Sequence, residues 1–421
     1  MNSKFKKKVQ LVYNESKDML VQDESVIEEL ESIDKSIANQ ARYTSKYALS
    51  PVYKNSTTEY LSPGEEFFDC LIKELKKAKR YIFMEYFIVN EGKMWDTILD
   101  ILEEKVKEGV DVRMIYDDFG CLTTLPYKYN EQLEKRGIKC KVFNPFVPFL
   151  SIVLNNRDHR KITVIDGHTA FTGGINLADE YINEIVRFGY WKDASIMIKG
   201  EAVWNLTVMF LQIWTFISGE KINYNDYRVL DEHKLDIESD GYVQPYADSP
   251  LDDEMVGENV YLNIINKAEH YVYISTPYLI IDNELVTALT LAAKNGVDVR
   301  IINPYIEDKW YAHIVSQAYY PQLIKAGVKI YEYSPGFVHS KTVVSDDIVG
   351  TVGTINFDYR SLYLHFECGV WLYKTKSVMQ IKEDYMNMLE NCVRITLEDC
   401  RHVKLHDRIL TAILRVFAPL M

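Results

Sequence analysis

Two short runs carry residues able to do chemistry on phosphorus: His159-Arg-Lys161-Ile-Thr-Val-Ile-Asp166 and His339-Ser-Lys341-Thr-Val-Val-Ser-Asp346. Both read HxKxxxxD. Residues i and i+2 of a strand project from the same face, so each His–Lys pair points one way. Two such pairs facing each other would surround a tetrahedral phosphate with two imidazoles and two ammonium groups. One imidazole can attack phosphorus while the other protonates the departing oxygen. The lysines can neutralise charge gathering on the phosphoryl oxygens. A free imidazole titrates near pH ~6.5, so one neutral and one charged ring are readily arranged at neutral pH. Asp166 and Asp346 complete the catalytic set. Position i+7 falls on the other face of the strand or beyond it, which suits an orienting or structural carboxylate and not a nucleophile. Asn176 and Asn356 each stand 17 residues after the motif histidine, in Gly173-Gly-Ile-Asn176 and Gly353-Thr-Ile-Asn356. An amide there could donate to phosphate oxygens beside backbone N–H groups at a helix start. One HxK alone is an ordinary surface strand; a duplicated set is a site.

The elements that must position these residues are themselves duplicated. Gly109-Val-Asp-Val-Arg113 recurs as Gly296-Val-Asp-Val-Arg300, Gly137-Ile-Lys139 as Gly327-Val-Lys329, and Ala78-Lys-Arg-Tyr-Ile-Phe83 as Ala268-Glu-His-Tyr-Val-Tyr273. The offsets are 187, 190 and 190 residues, and the histidine motifs follow at 180. A period this long is a repeated domain and not a solenoid. Each copy alternates helix and strand. Helices over 65–79 and 259–268 lead into strands at 81–89 and 271–280, and β-branched strands at 111–116 and 298–303 follow a helix-ending glycine. The pattern predicts α/β layers on a mainly parallel or mixed sheet. It divides the chain into a polar, partly helical segment (1–62), a first domain (63–205), a helix and connector (206–250), a second domain (251–375) and a helical C-terminal segment (376–421).

Composition narrows the chemistry. At 421 residues and 47% apolar content the chain is too long for one ordinary core. A net charge of −13 argues against wrapping nucleic acid, which calls for a basic surplus. An anionic substrate must be held by a few placed cations. The six scattered cysteines form no CxxC pair, which speaks against a zinc site or disulfide framework and suits a reducing compartment. No metal or cofactor is expected, since two His and two Lys supply the charge. No stretch reaches the ~18–20 apolar residues that span a bilayer. The longest candidate, 202–217, is interrupted by Asn205, Thr207 and Gln212. No signal peptide is visible.

With these motifs on the page, the chain resembles the phospholipase D superfamily, and within it the bacterial cardiolipin synthases. The resemblance runs over roughly residues 60–420. It is carried by the paired motifs and by Asn156-Arg-Asp-His-Arg-Lys161, Ala170-Phe-Thr-Gly-Gly-Ile-Asn-Leu-Ala-Asp-Glu-Tyr181, Phe188-Gly-Tyr-Trp-Lys-Asp193, Thr276-Pro-Tyr278 and Tyr331-Glu-Tyr-Ser-Pro-Gly-Phe337. It implies two α/β/α lobes facing each other around one active site. It implies a metal-independent phosphatidyltransferase that joins two phosphatidylglycerols through a phosphohistidine and releases glycerol. It also implies that Asp193 and Glu367 orient the catalytic histidines, as a carboxylate does in a serine-protease triad, and that His159 is the nucleophile.

The same apparatus serves other phosphatidyltransferases, such as phosphatidylserine synthases, as well as phospholipases and nucleases. The acidic composition argues against a nuclease. The presence of all four His and Lys residues argues against a non-catalytic lipid-binding scaffold. Bacterial cardiolipin synthases usually begin with two membrane-spanning helices, and this chain starts near where those would end. The expectation is either a truncated chain or cytoplasmic-face or peripheral attachment to an anionic bacterial membrane. Lys4 to Lys8, the apolar run 146–154 and the terminal run 408–417 are the candidate contacts. The sequence leaves the oligomeric state and acyl preference open.

Overall fold

The computed structural model describes residues 3–145, 155–230, 235, 237–401 and 414. The apolar run 146–154 lies outside them, as does the terminal run 408–417 except for Leu414. Two large mixed sheets form the frame. The first contains β1 (Ser56–Leu61), β2 (Tyr81–Tyr86), β3 (Asp111–Asp117), β4 (Lys139–Phe143), β5 (Ile162–Ile165) and β6 (Thr169–Gly173). After a short β7 (Tyr190–Lys192), β8 (Ser195–Gly200) completes it, in the order β1-β8-β6-β5-β2-β3-β4.

The second sheet repeats the plan. It uses β9 (Tyr242–Asp248), β10 (Tyr271–Ser275), β12 (Asp298–Pro304), β13 (Lys329–Tyr333), β15 (Thr342–Ser345), β16 (Val349–Gly353), β18 (Glu367–Tyr373) and β19 (Cys392–Ile395). The short β11 (Leu279–Ile280), β14 (Gly336–Val338) and β17 (Phe357–Asp358) stand apart from it. Its order is β19-β13-β12-β10-β15-β16-β18-β9. In each sheet a parallel trio (β2-β3-β4; β10-β12-β13) continues into antiparallel strands that carry the histidine motif at their start. The repeat read from the sequence is thus a duplicated α/β lobe. The lobes reach beyond the expected bounds: β1 precedes residue 63, β9 precedes 251, and β19 follows 375.

The apolar alternation is satisfied in three cores. Helices Gly64–Leu75 and Lys93–Lys107 cover the outer face of the first sheet, and Val256–Lys267 and Asn283–Lys294 that of the second. The inner faces share a central core with helices Val203–Ser218 and Lys376–Leu389. Helix Val203–Ser218, a strongly apolar stretch, is an interior helix, and three of its polar side chains donate within the protein. Asn205 Nδ2 donates to Pro245 O (2.7 Å), Gln212 Nε2 to Ser16 Oγ (2.8 Å) and Thr207 Oγ1 to Val203 O (2.9 Å). Among the described residues, no helix is long and apolar enough to cross a membrane.

The N-terminal segment is built into both lobes. Helix Ser3–Ser16 packs on Val203–Ser218, where Lys8 lies over the Phe216 ring (5.1 Å) and Lys6 pairs with Asp253 (3.3 Å). Ile27, Leu30, Ile37, Ala38 and Ala41 enter the second-lobe core. The chain then crosses to the first lobe, where β1 pairs with β8.

Asp166 and Asp346, grouped with the catalytic residues in the sequence, are placed elsewhere. Each sits in the left-handed region (φ 53° and 54°), which Asp tolerates, in the turn after β5 or β15. Asp166 accepts the backbone N–H groups of Lys79, Arg80 and Tyr81 at 2.8, 2.8 and 2.9 Å. Asp346 accepts those of Glu269, His270 and Tyr271 at 2.7, 3.0 and 2.8 Å. Their carboxylates tie the hairpin to the start of the neighbouring central strand, and neither lines the cleft that holds the histidines. Loss of three such bonds per site sets the expectation for D166A and D346A: each lowers unfolding free energy by about 2 kcal/mol or more. Urea unfolding followed by circular dichroism checks it, and an unchanged midpoint would contradict the role.

Candidate active site

Each histidine is delivered by one lobe and oriented by the other. Asp158 pairs with Phe366 in a parallel bridge, and His159 N donates to Phe366 O at 2.9 Å. The next residue on that strand, Glu367, accepts from His159 Nδ1 at 2.8 and 3.0 Å. The second lobe mirrors this. β14 runs parallel to β7, with Val338 opposite Lys192, and His339 N donates to Lys192 O at 2.7 Å. The residue after Lys192, Asp193, then accepts from His339 Nδ1 at 2.7 Å. Close approach at this seam requires glycine. A Cβ on Gly174 would sit 2.1 Å from Asp193 Oδ1, and one on Gly336 would sit 2.2 Å from Tyr190 O. Glu367 has an extra donor, Thr354 Oγ1, at the position corresponding to Gly174.

With Nδ1–H committed to a carboxylate, each neutral imidazole presents the Nε2 lone pair. Both rings line one cleft of about 320 Å³. Burial holds His159 well below its ordinary value, and the charges of Lys161, Lys341 and His339 add to the effect. Burial, then Lys341, lowers His339 to about 4 against the pull of Asp193. Asp193 is held below its ordinary value although burial opposes this, because His339 and Lys341 face it. Lys161 and Lys341 each turn Nζ back to the carbonyl of their own histidine. Burial pushes them down to about 8 and about 7. An ammonium has three donors, so two remain on each lysine for phosphoryl oxygens.

Between His159 and Lys161, Arg160 points the opposite way, as strand alternation demands. It is fully buried and needs partners there: Glu85 at 2.7 Å and Asp158 at 3.2 Å. Removing one partner of such a buried pair typically costs about 3–5 kcal/mol.

Asn176 and Asn356 reach the cleft, but both already do structural work. Asn176 Oδ1 accepts from Ile88 N (3.0 Å) while its Nδ2 donates to Tyr181 Oη (2.7 Å). Asn356 Nδ2 donates to Asp358 (2.9 Å). Each amide keeps one N–H uncommitted. The sequence reading missed several groups that also line the cleft: Arg157, Arg360, His365, Lys309 and Asp308. Arg157 flanks the first motif, and its nearness in sequence to His159 was the available signal. His365 stands two residues before Glu367. Among the described residues, the sets close enough to share an ion are His159–His365–Glu367 and Glu258–Asp282–Glu284. The former includes the bond that orients His159.

Two facing copies of a mixed sheet, each presenting its motif histidine to one cleft with a buried lysine behind it, define a phospholipase D-type protein. The phosphatidylserine synthase of Haemophilus influenzae shares the fold: TM-score 0.62, 15% identity, 86% of this chain and 93% of that one. The family model described as "Cardiolipin synthase, PLD-like domain" matches residues 71–214 and 261–389. A cardiolipin synthase of Alkalihalophilus pseudofirmus is 37% identical over 90% of this chain and 75% of its own length. Cardiolipin synthase 2 of Bacillus anthracis is 39% identical over 86% and 70%. An uncharacterised protein of Streptococcus mutans is 48% identical over 95% and 86%. The chain belongs to the cardiolipin synthase family of phospholipase D-like proteins.

The lowered lysines and histidines carry a testable sign. An anion in the cleft favours the charged forms and raises these values, so the complex holds more protons than the free protein. Binding of sulfate, which does not itself titrate near neutrality, should take up protons at pH 7 and weaken by up to about tenfold per pH unit for each group titrating as pH rises through 7 to 8. Calorimetry in two buffers of different ionisation enthalpy measures this; release of protons would refute it.

Proposed function

We propose that this protein is a cardiolipin synthase that transfers a phosphatidyl group from one phosphatidylglycerol to another. The observation that carries the reading is the pair of imidazoles in one cleft, each held as a neutral tautomer by the other lobe's carboxylate, with two buried lysines alongside. Family membership supports the substrate class.

The chemistry follows from that geometry. Phosphatidylglycerol brings its phosphate anion to Lys161 and Lys341, which offsets the cost of burying two ammonium groups, and this charge lets one imidazole take a proton. His159 remains neutral, and its Nε2 attacks phosphorus. The P–O bond to the glycerol headgroup breaks, and His339 Nε2–H gives its proton to the departing oxygen. His339, now neutral, takes the proton of the acceptor's glycerol hydroxyl. That oxygen attacks phosphorus and the P–N bond breaks. Two phosphatidylglycerols become cardiolipin and glycerol, and both imidazoles return to their starting state. The lysines supply the positive charge, so the scheme needs no divalent ion. Asn176 and Asn356 can each add one N–H to the phosphoryl oxygens.

A lipid surface suits this cleft. Phe119, half-exposed, lines it. Val186 (81% exposed) adjoins Arg187 of the lining, and Trp310 (55% exposed) stands between Lys309 and Tyr311. Large apolar side chains around a basic mouth are what an interfacial enzyme presents to an anionic bilayer.

Phosphatidylglycerol vesicles with purified protein test the reaction, in the presence of chelator. Cardiolipin and glycerol should form in equal amounts. H159A and H339A should each lose several orders of magnitude in turnover, because nucleophile and acid act as one unit. With His339 disabled, mass spectrometry should find a phosphatidyl adduct on His159. Phosphatidic acid as the sole lipid product would sink the transferase reading. An adduct on His339 would exchange the two roles.

The rim has its own test. The double variant V186E/W310E should lower vesicle flotation and turnover by about tenfold or more, since each buried apolar side chain contributes roughly 1.5–3 kcal/mol. Circular dichroism guards against misfolding. Wild-type flotation by the folded variant would move the membrane face elsewhere.

A further inference from the structure

The histidines and lysines account for one phosphate, yet a reaction between two phosphatidylglycerols brings two. The acceptor's own phosphodiester is not attacked, but it must lie within one glycerol of the phosphorus that is. The cleft holds two guanidinium groups and an imidazole that the transfer steps do not use. Arg157, Arg360 and His365 all line it, and the seam between the lobes brings them together. Phe366 N donates to Arg157 O at 2.8 Å, which sets Arg157 beside His365. The carbonyl of Arg360 accepts from Leu364 N and His365 N at 2.9 and 3.0 Å. The ring of His365 lies 5.4 Å from that of His159, centroid to centroid.

Arg360 has no carboxylate partner among the described residues, and the His365 ring makes no hydrogen bond. Both ring nitrogens of His365 are buried with no hydrogen-bond partner, and the nearest carboxylate oxygen, Glu367 Oε1, is 3.6 Å from Nδ1. Arg360 Nε is likewise buried and unbonded. Arg157 is anchored by Asn144 O at 2.8 Å and Asp117 at 3.6 Å, with its guanidinium 5.1 Å from the Phe119 ring. The other cations lining the cleft also have carboxylates beside them, Arg187 with Glu180 at 2.9 Å and Lys309 with Asp308 at 4.0 Å, so Arg360 stands apart. A planar guanidinium fork with an idle N–H, beside an imidazole with both nitrogens idle, matches an anion with several acceptor oxygens.

We propose that Arg157, Arg360 and His365 form a second anion subsite that holds the acceptor lipid's phosphodiester, and that Arg360 determines the choice of acceptor. This rests on the phosphatidyl transfer proposed above. The subsite selects against water, which has no phosphate to be held by. The acceptor's free hydroxyl is thereby kept beside the phosphohistidine at high effective concentration.

The partition of phosphatidyl groups between cardiolipin and phosphatidic acid, on phosphatidylglycerol vesicles, reads this directly. R360Q should lower the cardiolipin to phosphatidic acid ratio at least tenfold, and R360K should recover part of it. Millimolar inorganic phosphate should lower the ratio in the wild type by occupying the subsite, and have little further effect in R360Q. If R360Q fails to fold, H365Q carries the same expectation. A parallel fall in both products at constant ratio, or an unchanged ratio, overturns the subsite. A wild-type protein that makes no cardiolipin at all overturns instead the transfer on which it rests.

Discussion

The site depends on two carboxylate–imidazole bonds that cross between lobes: Glu367 to His159 and Asp193 to His339. A lone histidine in either lobe would be free to rotate and to choose its tautomer. The bond to the opposite lobe fixes both, and it exists only when the lobes are docked. Duplication has therefore not given two sites. It has given two half-sites, neither of which can orient its own histidine. Any movement that opened the seam would release both rings together.

Burial and charge oppose each other in the cleft, and the balance makes it receptive to phosphate. Both lysines and both histidines are held below their ordinary proton affinity because they are out of water, and the neighbouring ammonium groups deepen the effect on the histidines. An anion beside these groups favours their charged forms. The energy of substrate capture comes in part from this attraction, which explains how a protein of net charge −13 can take an anionic substrate without a basic surface.

Much of this was legible in the sequence, for physical reasons. The repeat, the helix–strand alternation and the projection of His and Lys to one face follow from periodicity, which is local. The pairing of each carboxylate with the histidine of the other lobe was not legible, because it is set by how two sheets dock. Chain distance would have suggested Asp193 for His159 and Glu367 for His339, the reverse of what is found. Grouping Asp166 and Asp346 with the catalytic residues came from reading HxKxxxxD as one unit. Strand parity already separated them, since an odd offset turns the side chain away from the His–Lys face. The N-terminal segment looked like a polar appendage, yet Ile27, Leu30, Ile37 and Ala41 recur at helical spacing and bury in the second lobe.

That segment bears on how the molecule comes together in time. Residues 24–47 rest on the second lobe: Gln244 Nε2 reaches Ala41 O and Ser50 O, and Tyr242 Oη reaches Glu29. β1, which follows directly, completes the edge of the first sheet beside β8. These residues are synthesised before their partners, which lie near residues 200 and 244, and so find them late. Contacts so far apart in the chain close slowly and late. The apolar faces of residues 24–47 are buried only once the second lobe has formed. Once placed, they form a clasp across the two halves, so the order of folding itself favours joining the lobes, and with them the two half-sites, over leaving either lobe to persist alone.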